Sequence, residues 1–144
     1  MNSILLNTST RYLVPLLVVL SLILLYRGHN LPGGGFIGGL VAASSVILLA
    51  YSRGWLDVEK GLPFDPITLM SCGLIIAMLS GLPGLLFGNA FMEGMWLPSF
   101  NLAFIGKVKL GTPLLFDVGV YFAVIGFTVK CALALGTHND LWKS

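Results

Sequence analysis

Three side chains in this sequence combine a reactive type with a telling position. Asp117, Lys130 and His29 each stand in or beside a long run of apolar residues. Asp117 lies in the run G-T-P-L-L-F-D-V-G-V-Y, about one turn past a helix start marked by Thr112 and Pro113. A carboxylate at that depth is costly unless it faces protein, water or a cation. Two readings follow. Either the positive end of its own helix or a nearby lysine or arginine stabilises it, or it is a stop on a proton or cation path. Lys130 comes thirteen residues later, about 20 Å along a helix at 1.5 Å per residue, so it cannot pair with Asp117 on the same helix. It is expected to snorkel to the far interface or to pair with another subunit. His29 stands at the mouth between the first two apolar runs. There its imidazole could titrate near neutral pH or hydrogen-bond the adjoining glycine turn.

Other chemistries find little support. Cys72 and Cys131 fall inside apolar runs and read as small buried apolar residues rather than as a disulfide or as ligands. His29 and His138 stand apart in different segments, so no metal site is expected. Gly33-Gly34-Gly35-Phe36-Ile37-Gly38 formally satisfies G-x-G-x-x-G, but the preceding strand and the following acidic residue that dinucleotide binding requires are missing. Asn7-Thr8-Ser9 is a formal glycosylation sequon on a terminus expected to be cytoplasmic. No nucleophile, base and orienting group are placed together, which argues against an enzyme. No cofactor is expected.

The elements that must position these residues are membrane helices. Of 144 residues, 56% are hydrophobic and 10% charged, with a mean hydropathy of +0.92, too apolar for a water-soluble chain of this length. Crossing a hydrocarbon core of about 30 Å takes about 20 apolar residues, and the charges punctuate four such runs. The expected fold is all-α, one domain over 1–144, with spans near 12–28, 32–52, 66–87 and 113–135. The first is short but flanked by Arg11 and Arg27, which can snorkel and lengthen it. Asp65-Pro66 and Thr112-Pro113 are each a capping residue followed by a proline at N1, where its missing N–H is no loss. An even count puts both termini on one face. Arg11, Arg53, Lys60, Lys130 and Lys143 then face Arg27, Lys107 and Lys109 across the membrane, which favours cytoplasmic termini.

The opening of the second span, N-L-P-G-G-G-F-I-G-G-L from Asn30 to Leu40, is built for close approach. Gly34 with Gly38, Gly35 with Gly39, and Gly119 with Ala123 are small-xxx-small pairs that let helices touch in lipid. The Pro32 to Gly39 turn, including Gly33, is therefore expected to pack against a neighbouring subunit. The connection 54–64 is short and charged, and Asp57, Glu59 and Lys60 read as a solvated loop. The connection 88–111 is long and carries Trp96, Phe100 and Phe104, suited to an interfacial belt or a docking surface. No inverted repeat is visible, which argues against a self-sufficient carrier. Four short spans hold too little lining for a pore of their own, so an assembly is expected.

Two separated motifs together carry a family resemblance. The runs Gly28-His29-Asn30-Leu31-Pro32-Gly33-Gly34-Gly35-Phe36-Ile37-Gly38-Gly39-Leu40 and Gly111-Thr112-Pro113-Leu114-Leu115-Phe116-Asp117-Val118-Gly119-Val120-Tyr121 strongly resemble the B subunit of the multisubunit Mrp (Mnh, Sha) cation/proton antiporters. The resemblance covers nearly the whole chain. It implies a multi-pass subunit of a bacterial or archaeal plasma-membrane complex, with the A, C, D, E, F and G subunits as partners. That complex exchanges sodium ions for protons. Apart from the resemblance, bound lipid is a candidate occupant of the glycine groove. In such complexes the large subunits carry the lysine and glutamate chain of proton transfer, so a small B subunit would serve assembly and line an ion passage where subunits meet. The alternatives are a B-like subunit of a membrane-bound hydrogenase or related redox complex, and a purely structural assembly subunit.

Overall fold

The computed structural model describes residues 4–28, 33–82, 100–102, 106–108 and 111–141. Among the described residues five helices carry the fold: α1 (Ile4–Arg27), α2 (Gly35–Arg53), α3 (Trp55–Gly61), α4 (Pro66–Leu79) and α5 (Thr112–Leu141). Three of them, α1, α2 and α5, are long and apolar enough to cross a membrane, and α3 with α4 makes a fourth if that bent pair counts as one span. The helical reading of the sequence holds. Among the described residues it is broken by a short antiparallel ribbon, β1 (Phe100–Leu102) with β2 (Gly106–Val108), in the register Phe100↔Val108, Asn101↔Lys107, Leu102↔Gly106. Phe100 thus sits in a strand, while Trp96 and Phe104 lie outside the described residues.

The element bounds differ from the sequence reading in physically sensible ways. α1 begins at Ile4 rather than Tyr12, with Arg11 inside it, because Asn7, Thr10 and Ser52 give the helix start polar company. Pro15 lies within α1 and has no N–H to offer the carbonyl of Arg11. α4 has 14 residues, about 21 Å at 1.5 Å per residue, and residues 83–87 of the expected span lie outside the described residues. The stretch 54–64 is no plain loop. It folds into α3, bent 56° from α4, with Trp55 set against Tyr51 in an edge-on ring contact of 5.0 Å.

Asp65 caps α4 as its sequence predicts. Its carboxylate accepts from the Thr68 backbone N–H at 3.0 Å and from the Thr68 hydroxyl at 3.0 Å, with Pro66 at N1. Those bonds, the backbone one foremost, with Lys130 adding a weaker pull, hold the Asp65 carboxyl below the usual carboxylate range.

α5 is the hub, packed on α2 along one side and α4 along the other. Gly35 meets α5 near Asp117, and Gly39 meets it near Tyr121 and Val124, so α2 and α5 run the same way. Gly126 lies against Pro66 and Met70, Gly73 against Gly119 and Ala123, and Gly119 against Ala77, so α4 runs opposite to α5. Two small-xxx-small pairs, Gly73-Ala77 and Gly119-Ala123, thus face each other. In lipid, where burial of apolar surface gives no drive, this backbone-to-backbone contact is the main source of cohesion. Ser21 and Leu25 meet Gly38 while Asn7 meets Ser52, so α1 is antiparallel to α2, and the start of α1 and the end of α5 share one face of the bundle.

The core between α2 and α5 is small and apolar: Ala42, Ala43, Ile125, Val129 and Leu133 are buried together with Tyr121. Cys72 and Cys131, expected to be buried, instead lie exposed on the outer surfaces of α4 and α5, both as free thiols. The inner faces of these helices are taken by glycine and alanine, which allow the close approach that a cysteine side chain would prevent.

Candidate functional site

The site grows out of the glycine turn between α1 and α2. The backbone N–H groups of Gly28 and Gly34 both donate to the Leu24 carbonyl, each at 3.1 Å, so the chain returns on itself within a few residues. Gly33 fits beneath that carbonyl, where an added Cβ would stand 2.9 Å from the Leu24 oxygen. Gly34 is the N-cap of α2 with φ 93° and ψ −171°, a backbone shape that favours glycine, and it has no side chain with which to cap the helix.

Asp117 of α5 takes over that task. Its Oδ1 accepts from the Gly35 backbone N–H at 3.4 Å, a long contact, and lies where a Cβ on Gly34 would come within 3.3 Å. The sequence suggested support from its own helix end or from a lysine or arginine. Among the described residues the charge is set at the positive N-terminus of a different helix, α2, while Lys107 and Lys109 have side chains outside the described residues. Asp117 is half-buried, open on its other side to whatever covers the bundle there.

One helical turn deeper, Tyr121 continues the same face of α5. Its hydroxyl is 3.1 Å from the hydroxyl of Ser21, which is fully buried (0% exposed) and also donates to the Val18 carbonyl at 2.7 Å. Sequence reasoning overlooked both residues. The available signals were the spacing of four between Asp117 and Tyr121 and a lone serine in the middle of α1. Beyond Tyr121 the stripe continues with Ile125, Val129 and Leu133, all buried and apolar. Polar groups on this face therefore enter from one end of the bundle and stop.

The other anticipated site residues fall elsewhere. Lys130 is at the opposite end, 3.9 Å from Glu59 of α3, with both side chains over two-fifths exposed. This pair lies within the chain and at that exposure contributes little stability. Glu59, read as part of a solvated loop, is its partner. His29 and Pro32 lie outside the described residues. Gly35, Gly38 and Gly39, expected to face a neighbouring subunit, are occupied by this chain's own α1 and α5. A Cβ on Gly35 would run into the Asp117 carbonyl, one on Gly38 would come within 2.9 Å of the Ser21 carbonyl, and one on Gly39 within 2.9 Å of the Tyr121 carbonyl.

Residues 5–130 match the model of a domain related to the MnhB subunit of Na+/H+ antiporters. The chain belongs to the MnhB family. It is 36% identical over 138 residues to the Na+/H+ antiporter B subunit of Alkalihalophilus pseudofirmus, covering 96% of this chain and 95% of that one. Against the protein of the same name in Bacillus subtilis it is again 36% identical over 138 residues, covering 96% of each. Among solved structures it resembles part of the Mrp complex from Dietzia sp. DQ12-45-1b, with a TM-score of 0.77 and 34% identity over 92% of this chain. The match spans 14% of the length of that Mrp chain. Both the Asp117 face and the glycine turn of this MnhB chain, from Gly33 onward, lie within the matched residues 5–130.

Proposed function

We propose that this chain is a small membrane subunit of a multisubunit Na+/H+ antiporter in the bacterial plasma membrane, and that it works beside the ion path rather than as a carrier in its own right. The observation carrying this reading is the shape of its polar face. Asp117, Tyr121 and Ser21 form a polar inlet that ends against Ile125, Val129 and Leu133. Such an inlet can tune the electrostatics of a passage where subunits meet, but it offers no relay across about 30 Å of hydrocarbon. The near full-length likeness to proteins named as Na+/H+ antiporter B subunits supports the same placement. Partners are the other subunits of such an antiporter, and the chain uses no cofactor of its own.

The test is Asp117→Asn in the whole complex, because asparagine keeps an oxygen to accept from Gly35 while removing the charge. Sodium-dependent proton exchange in everted vesicles is measured together with the assembled complex on a native gel. Reduced exchange with normal assembly is expected. Normal exchange with normal assembly would leave Asp117 a structural cap and overturn the electrostatic role.

A further inference from the structure

A second polar feature lies at the opposite end of the bundle from Asp117. The start of α1 and the end of α2 enclose a groove of about 710 Å³, lined by Asn7, Arg11, Val14, Pro15, Leu49, Ser52 and Arg53 among others. That volume is within the roughly 300–1,000 Å³ usual for ligand-holding clefts. The lining is graded along the membrane normal. α1 runs inward from Asn7 and Arg11 to Val14 and Pro15, while α2 runs outward from Leu49 to Ser52 and Arg53. With Asn7 level with Ser52, Arg11 starts about level with Leu49, one turn inside Arg53, and its long side chain can reach outward to the face that Arg53 occupies, while Val14 and Pro15 lie deeper.

The charges in the groove are unbalanced. Two guanidinium groups share it, and among its described lining residues there is no carboxylate. Ser52 is satisfied by Asn7, to which its hydroxyl donates, so these side chains build the rim instead of neutralising it. Pro15 adds an acceptor, since the Arg11 carbonyl has no N–H four residues on to bond with. An occupant must therefore bring a negative charge to the face and an apolar tail to the depth of Val14 and Leu49. A free anion meets only the first demand. We propose that this groove is a binding site for an anionic glycerophospholipid, whose phosphodiester is bridged by Arg11 and Arg53 and whose acyl chain lies over Val14, Pro15 and Leu49.

The test uses the purified whole complex, stripped of lipid and titrated by native mass spectrometry with short-chain phosphatidylglycerol, phosphatidylcholine or inorganic phosphate. Phosphatidylglycerol is expected to bind preferentially and to resist displacement by inorganic phosphate. An Arg11→Gln/Arg53→Gln variant is expected to weaken it about tenfold or more, whereas Lys60→Gln leaves it unchanged. Unchanged affinity in the double variant, or ready displacement by inorganic phosphate, overturns the proposal. Should the double variant fail to assemble, photoactivatable phosphatidylglycerol on the wild-type complex decides. Labelling within 7–15 and 49–53 supports the site. Labelling elsewhere only, or cross-links from residue 11 to an acidic segment of a neighbouring subunit, overturns it.

Discussion

A carboxylate that caps a neighbouring helix has two separable properties, a charge and an acceptor oxygen. Asp117→Asn removes the first, and Asp117→Ala removes both, leaving the Gly35 N–H at the start of α2 without its acceptor. Loss of a helix cap costs about 0.5–2 kcal/mol, so Asp117→Ala is expected to lower the amount of assembled complex on a native gel below that of Asp117→Asn. Equal assembly in the two variants would show that the 3.4 Å contact contributes nothing to α2. Tyr121→Phe behaves differently, because the Ser21 hydroxyl keeps its bond to the Val18 carbonyl and is not left unsatisfied. Its cost should not exceed about 1 kcal/mol, with assembly unchanged. A marked loss of exchange in Tyr121→Phe would extend the functional polar face one turn deeper than its charge.

Between helices, backbone contacts set the tolerances. Gly35→Leu drives a side chain into the Asp117 carbonyl and the Tyr121 N–H, groups that cannot rotate away. Gly73→Leu does the same against Ala123 and Gly119. Each should exceed the about 1–3 kcal/mol usual for an overpacked core, so the protein should fail to accumulate in membranes by immunoblot. Gly61→Ala, with nothing within 4 Å of its new methyl, should accumulate normally. The α4 cap adds a pH dependence. The Asp65 carboxyl is held below its ordinary range, so its contribution is complete above the unfolded value of about 3.9 and is lost as pH falls through the lower folded value. Thermal melts of the detergent-solubilised complex should therefore converge with those of Asp65→Ala in acid below that value and diverge above it. This cap was legible in the sequence because Asp65, Pro66 and Thr68 are adjacent and their geometry is local. The facing of Gly73-Ala77 on Gly119-Ala123 was only half legible. One sequence gives each small-xxx-small pair but not its mate, and nothing local says that α2 and α5 run the same way. Asp117 was visible as an unusual charge, while its partner at Gly35 depended on long-range packing.

The described residues form two polar ends and a largely apolar waist. Asp117, Tyr121 and Ser21 occupy one end, Lys130 and Glu59 with the arginine groove occupy the other, and Ile125, Val129 and Leu133 lie between them against Ala42 and Ala43. Along α5, Tyr121 and Lys130 are nine residues apart, about 13 Å at 1.5 Å per residue, and the buried α5 stripe between them is apolar, while on α2 at that depth the buried Ser45 hydroxyl is bonded to the Ala42 carbonyl at 2.6 Å. Meanwhile α1 leaves Leu16, Val19, Leu22 and Tyr26 exposed, a face that lipid or another subunit must cover. The chain alone should therefore insert into proteoliposomes and yet show no sodium-driven change in internal pH, read with a pH-sensitive dye. The same vesicles carrying the complete complex should show it. Exchange by the isolated chain would mean that the waist opens, and the protein would then have to be treated as a carrier. No exchange alone, together with loss of exchange in the complex on Asp117→Asn, fits a charge that acts on a passage whose other wall belongs to the partners.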